Sequence, residues 1–188
     1  MSKIKLVAVS YLNTKPFIYG IHQSGILEKH FQLQLEHPAK CAEKLLNHEA
    51  DIGLVPVAVI PYLNNPSVVS DYCIACDGAV ESVMLFSNVS IENIETILLD
   101  YQSKTSVQLV QVLSKEYWKI SPTFIPASPG YEQKITGKTA GLVIGDRAFE
   151  LKNKFKFAYD LGMEWKQFTG LPFVFACWVA NIHVEIDL

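Results

Sequence analysis

The sequence predicts an α/β fold built in two similar halves, each around a largely parallel sheet. Three observations carry that expectation. Apolar runs of strand length alternate with stretches whose apolar residues recur at helical spacing. A strand that ends in small polar residues and opens a helix occurs twice, as AVSYLNT at 8–14 and LLDYQSKTS at 98–106. Each is followed by a GLV strand with a sharp exit, DIGLVPV at 51–57 and AGLVIGD at 140–146. Two such halves imply two lobes with a cleft between them. In open α/β sheets, ligands lie beyond the carboxyl ends of the strands, and all four segments stand at such ends.

Element by element, KIKLVAV (3–9) reads as a buried strand. A helix runs from Pro16 to about Gly25, and its proline is tolerated because the first turn lacks intrahelical N–H partners anyway. FQLQLEH (31–37) alternates like a strand, and PAKCAEKLLNHE (38–49) is an amphipathic helix opened by Pro38. DIGLVPV is a buried strand ended by Pro56, with a short helix to about Leu63, and SVVSDYCIAC (67–76) is extended. AVESVMLFS (79–87) alternates, which puts Ser82 and Glu81 on opposite strand faces; TILLD (96–100) is a short buried strand. SKTSVQLVQVLSKEYW (103–118) opens on cap residues and repeats Val107, Val110, Leu113 and Tyr117 at helical spacing. TFIPA (123–127) and AGLVI (140–144) are strands, and GDRAFELK opens a helix. FKFAYD (155–160) is extended, LGMEWKQFTG (161–170) helical, and PFVFACWVA (172–180) a strongly apolar strand.

Composition narrows the function classes. With 188 residues, 49% of them hydrophobic, the chain can bury one sizeable core or two small ones. A net charge of −3 lacks the basic excess of a general nucleic-acid binder. No apolar run approaches the length of a membrane span. The start, MSKIKLVAVSYLN, has too short an apolar stretch for a signal peptide and no small-residue cleavage site, so a cytoplasmic protein is expected. Cys73 and Cys76 form one C-x-x-C, but no second pair or spaced histidines complete a zinc site. They are expected to be buried thiols in a strand, acting as small hydrophobes. The five histidines are scattered, and no metal is expected.

The polar turns are the chemistry. Ser103, Thr105 and Ser106 either cap a helix with their hydroxyls or, with its free N–H groups and positive dipole end, hold a carboxylate. Both roles are compatible, with Ser103 as cap and Thr105 and Ser106 facing a ligand. Asn13 and Thr14 form the matching pair; with Thr14 as cap, the Asn13 amide is left to donate to a carboxylate and accept from a hydroxyl. Gly145 and Asp146 make a tight turn, with Asp146 capping the helix at Arg147; Gly145 also lets a ligand approach the backbone. Ser82 has no His–Asp partnership that would make it a nucleophile, so hydrogen bonding is its expected role. Trp118, Trp165, Trp178 and the phenylalanines of 168–175 are expected in the core.

Taken in order, SYLNTKPF, ADIGLVPV, GAVESVMLFS, DYQSKTS, GLVIGD and YDLGMEWKQFTGLPFVFACW resemble the chorismate dehydratase family of the futalosine route to menaquinone. The likeness spans almost the whole chain, and TGLPFVFACW is its most specific piece. The sister enzyme of that route, a dihydroxynaphthoate synthase, carries a Pro/Asn/Asp-type first turn in place of SYLNT. The resemblance implies a type II periplasmic-binding-protein-like fold, a cleft between two mixed, mostly parallel sheets. One lobe would comprise 1–78 plus 172–188, the inserted lobe 79–171. Family members continue with further helices, whereas this sequence ends at NIHVEIDL, so the expectation is either a truncated first lobe or a missing helical cap.

The implied reaction removes water from chorismate to give 3-(1-carboxyvinyloxy)benzoate. It needs no cofactor, because aromatisation drives it. The implied catalytic residues are Asn13 and Ser82. Ser10, Tyr11, Thr14 and Val57 are the implied substrate contacts of the first lobe, and Ser103, Thr105, Ser106, Gly145 and Asp146 those of the second. Chorismate is the expected partner, without nucleic acid or membrane, and a homodimer is compatible with the reading. For the base there are Asp146, Glu81 or, as favoured, the substrate's own enolpyruvyl carboxylate acting by proximity. Two other functions fit the same fold: a cytoplasmic module that binds an aromatic or dicarboxylate ligand without chemistry, and the sister synthase.

Overall fold

The computed structural model describes residues 3–25 and 29–181. The expected end of the first lobe beyond Asn181 lies outside the described residues. The chain divides into two compact units, one made of the residues up to Ile74 with those from Val174 onward, the other of Ala75–Phe173.

The first unit opens with β1 (Ile4–Val9), a turn at Leu12–Thr14 and α1 (Lys15–Gln23). Then come β2 (Phe31–Glu36), α2 (Pro38–Leu46), β3 (Ile52–Pro56), a tight helical turn at Val57–Tyr62, and β4 (Ser67–Cys76). The second unit follows with β5 (Val83–Ser87), β6 (Thr96–Leu99), α3 (Thr105–Val112), β7 (Thr123–Pro126), β8 (Thr139–Ile144), α4 (Asp146–Leu151), β9 (Phe157–Asp160) and α5 (Leu161–Thr169). The chain then returns to the first unit through β10 (Phe173–Ala180).

The first sheet has the order β2-β1-β3-β10-β4 and the second β7-β6-β8-β5-β9. Both are mixed. β1 runs parallel to β2 and β3, but β10 runs antiparallel to β3. β6 runs parallel to β7 and β8, but β5 runs antiparallel to both β8 and β9. The parallel pairs are those joined through helices. The antiparallel strands are the ones that carry the chain into the second unit and back out, a reversal that no local sequence pattern encodes.

Why these runs are strands follows from what covers them. β3 and β5 are buried along their whole length, so they read as unbroken apolar runs. The repeated GLV has a packing cause. A Cβ on Gly53 would stand 2.9 Å from Val55 Cγ1, and one on Gly141 2.4 Å from Ile135 Cδ1. In each unit the glycine makes room for a neighbouring apolar side chain. The first core gathers Val7, Ala8, Leu45, Leu54, Val55 and Val179. Asn181 locks it: its buried amide donates to the Leu45 carbonyl at 2.9 Å and accepts from the Asn64 N–H at 3.1 Å.

Two expectations need correction here. Residues 79–82 are not in a strand. β5 begins at Val83, and Glu81 has φ +61°, so the two-face alternation of Glu81 and Ser82 does not exist. β5 lies between β8 and β9 with both faces covered, which is why its five residues are all apolar or buried. Second, Cys73 is exposed and Cys76 half-buried, while Cys41 and Cys177 are buried. The strand assignment is right, but β4 is the edge strand of its sheet and most of its residues face solvent. The three tryptophans pack as expected only in part. Trp178 is buried, whereas Trp118 and Trp165 are half-buried. Trp165 meets the Phe173 ring edge-on at 5.1 Å, and the Trp118 indole N–H donates to Glu164 at 2.9 Å.

Candidate functional site

The first polar turn is set by β1. Its last residue leads into Ser10, whose N–H donates to the Glu36 carbonyl at 2.8 Å and ties the turn to the end of β2. Tyr11 follows, half-buried against the first core. The Thr14 N–H donates to the Tyr11 carbonyl at 3.1 Å, and the helix continues at Lys15 and Pro16. Thr14 is buried, but its hydroxyl makes no cap bond. A capping side chain needs extended backbone at that position. Thr14 already has helical angles (φ −86°, ψ −19°) because the turn at Leu12–Thr14 precedes it. Its hydroxyl donates instead to Asn13 Oδ1 at 3.4 Å. Asn13 itself is exposed. Val57 is half-buried at the start of the turn that follows β3.

The second polar turn is built on a buried charge. β6 ends at Leu99, and the next residue, Asp100, has a side chain with 0% exposure. Its Oδ1 accepts from the Gln102 N–H at 2.8 Å. Its Oδ2 accepts from the Ile144 N–H at 3.2 Å and from Arg147 Nη2 at 2.6 Å. The Tyr131 hydroxyl lies 2.8 Å from the same Oδ2 and also reaches the Leu142 carbonyl; its single proton serves one acceptor at a time. Arg147 Nη1 meets Glu132 at 2.6 Å, and its guanidinium lies over the Tyr101 ring at 5.2 Å. Burial and the Asp100 carboxylate push the Tyr131 phenol far above its ordinary range, so it stays a neutral donor. Burial works against the Arg147 charge, but Asp100 and Glu132 more than offset it and hold the guanidinium cationic.

On this hub sits the start of α3. The Ser103 hydroxyl accepts from the Ser106 N–H at 3.0 Å, which is the cap that the hydroxyl-rich sequence calls for. Ser103, Thr105 and Ser106 are all buried, and Lys104 between them is exposed. Gly145 takes φ +69°, ψ −151°, a conformation that side-chain-bearing residues rarely adopt. Its N–H donates to the Ser82 carbonyl at 2.8 Å, so Ser82 and Gly145 meet through their backbones. Gly145 occupies the cap position, and Asp146 is the exposed first residue of α4 and not its cap. Glu81 is exposed, its N–H held by Asp160 at 2.7 Å and its carboxylate 3.6 Å from Lys152.

Sequence reasoning missed Asp100, Gln102, Tyr131, Glu132 and Arg147. One signal was available: Arg147 is the single arginine among 188 residues. It also missed Lys15 and Lys104. α1 and α3 both start beside a lysine and have no acidic residue in the first turn. Among the described residues no cluster of histidine, cysteine, aspartate and glutamate could hold a metal ion, and no helix is long and apolar enough to cross a membrane.

Residues 4–185 match a family model described as menaquinone biosynthesis. A chorismate dehydratase of Thermus thermophilus is 28% identical, over 87% of this chain and 69% of that protein. Among solved structures, an Archaeoglobus fulgidus protein superposes with a TM-score of 0.69 at 13% identity, over 98% of this chain and 70% of that one. The alkanesulfonate-binding protein SsuA of Xanthomonas axonopodis pv. citri gives a TM-score of 0.58 at 15% identity, over 96% and 65%. The structural likenesses carry the fold, which is that of periplasmic binding proteins.

Proposed function

The chain belongs to the menaquinone biosynthesis family, and from that premise we propose that it is a lyase that dehydrates chorismate to 3-(1-carboxyvinyloxy)benzoate. The hydroxyl leaves C4 as water, a proton leaves C3, and the ring becomes aromatic. No electrons are gained or lost overall, so the reaction requires no redox partner.

The observation that carries the reading is the make-up of the two polar turns. Each follows a strand in the parallel part of its sheet, each opens a helix, and each places a lysine at the helix start with no acid in the first turn. That is a setting for anions. Free N–H groups of a first turn and the positive end of the helix dipole favour a carboxylate, and chorismate carries two. The Ser103–Ser106 turn would hold one of them. The exposed Asn13 amide would fix the other, on the enolpyruvyl group. Ser82 would serve as a hydrogen-bonding side chain near the reacting ring.

For the base, the substrate's own carboxylate is favoured over the acids of the chain. The one acid within the two polar turns, Asp100, is buried and holds four hydrogen bonds. With no exposed surface and Arg147 already paired to it, it is badly placed for proton abstraction. Glu81 is drawn toward Lys152. The substrate's enolpyruvyl carboxylate, attached through oxygen to C3, is already within reach of the proton that must leave. Holding it in place converts proton removal into an intramolecular step. Asp146 is the protein alternative.

The test is direct. Protein mixed with chorismate should generate a new aromatic absorbance, with the product identified by mass as substrate less one water. Chorismate that is bound but unchanged would leave a binding module. Chorismate neither bound nor consumed would point away from this substrate altogether.

A further inference from the structure

We infer that Arg147 is a positioning residue for carboxylate binding: it does not touch the substrate but sets the geometry of the turn that does. The inference rests on the chorismate reading above. Three consecutive residues lead from β6 into Ser103, and Arg147 engages each of them. Its Nη2 is 2.6 Å from the Asp100 carboxylate and 3.3 Å from the Gln102 amide oxygen, and its guanidinium lies 5.2 Å from the centre of the Tyr101 ring. Its other fork nitrogen is anchored on Glu132 at 2.6 Å. Along the chain, Arg147 directly follows Gly145 and Asp146. Asp100 completes the tie by accepting from the Ile144 N–H and the Gln102 N–H. One side chain therefore fixes the approach to α3 relative to the turn that begins α4.

A direct role in holding the anion does not fit. The guanidinium already faces two carboxylates, so the cluster of Arg147, Asp100 and Glu132 is net negative. A purely stabilising role is a weak explanation as well. Buried ion pairs rarely stabilise a fold better than apolar groups of the same volume, and their best-attested use is to specify one arrangement. Lysine cannot replace this residue. It supplies a point charge, without the planar fork that reaches two carboxylates and lies on a ring.

The experiment compares wild type, Arg147→Lys, Thr105→Ala/Ser106→Ala and the triple variant in the chorismate assay, with thermal unfolding of each. Arg147→Lys keeps the charge. It is expected to raise KM about tenfold, the effect of losing well-placed hydrogen bonds to a charged group, while kcat changes much less. In the Thr105→Ala/Ser106→Ala background the same substitution should add almost nothing to KM, because the groups it positions are gone. Tyr101→Leu removes the half-open ring under the guanidinium without touching the buried pair; it should raise KM in the same sense but less, and it serves if Arg147→Lys does not fold. Unchanged KM with lowered unfolding temperature would reduce Arg147 to a structural residue and overturn the inference. Additive effects on KM in the triple variant would overturn it too. Wild type that leaves chorismate untouched would instead fail the functional reading, and the inference would fall with it.

Discussion

Replacing Asp100 by asparagine should be among the most damaging conservative changes in the second unit. The side chain has 0% exposure and four donors converge on it. Oδ2 serves the Ile144 N–H, the Tyr131 hydroxyl and Arg147, while Oδ1 serves the Gln102 N–H. Asparagine retains one oxygen. Its best placement keeps that oxygen at the Oδ2 site, which turns the new NH2 toward the Gln102 N–H, donor against donor at 2.8 Å. Leaving buried donors unpaired costs about 1–3 kcal/mol. Arg147 keeps Glu132 but loses the charge of its more deeply buried partner, and breaking a buried pair from one side costs about 3–5 kcal/mol. The two overlap, so a loss of about 3 kcal/mol is expected. Urea unfolding followed by far-UV circular dichroism measures it. A loss below about 1 kcal/mol would show that the site relaxes or admits water, and would refute the view of Asp100 as the hub of the turn.

Other outcomes follow from the same geometry. Asn13 is exposed and makes no cap, so Asn13→Ala should remove most chorismate turnover with little change in unfolding temperature; Asn13→Asp, an anion beside a dianion, should weaken substrate binding yet keep some turnover. Normal turnover in Asn13→Ala with none in Asp146→Asn would move the proton to Asp146. Lys104→Gln should stabilise the protein slightly, by about 0.3–1 kcal/mol, because it removes a cation from the positive end of α3, while raising KM for chorismate by an amount that shrinks as salt is added; a KM equal to that of wild type at low salt would count against anion binding at this turn. Burial pushes the Cys41 thiol from its ordinary 9.0 up to about 12. The unfolded chain ionises first, so Cys41 contributes stability that is intact below pH 9 and lost as pH rises toward 12, about 4 kcal/mol over that window. Unfolding at pH 8 and pH 10.5 should show the decline in wild type and less of it in Cys41→Ala.

The sequence made the elements legible because each is locally consistent. SVVSDYCIAC is extended over the same ten residues in the structure, and GLV marks both strands that need a glycine beside a packed side chain. What failed was information held by neighbours. The alternation through Glu81 and Ser82 was misleading because residues 79–82 form a bend whose N–H groups are taken by Asp160, an acid far away in sequence. Thr14 missed its cap because the turn before it had already become helical. The hub was harder still. Asp100, Tyr131 and Arg147 come from three separate segments, and only the fold brings them to one point. No spacing rule connects them. The single arginine was the one clue.

The helix starts show which parts of the chain are built for stability and which for something else. α5 follows every local rule. Asp160 caps it with two bonds to the N–H groups of Gly162 and Met163, Glu164 sits in its first turn, Lys166 in its last, and Gly170 ends it in the left-handed conformation. α1 and α3 follow the opposite pattern. Each begins beside a lysine with no acid in the first turn, and α1 has no side-chain cap. The same chain had the means to compensate these ends and did so elsewhere. In α3 the departure is doubled, since a desolvated carboxylate also lies under the turn and needs an arginine, a tyrosine and two backbone N–H groups to hold it. Departures from local consistency concentrate where a protein must meet a ligand. An anion arriving at the end of α3 would satisfy both the helix dipole and Lys104 at once.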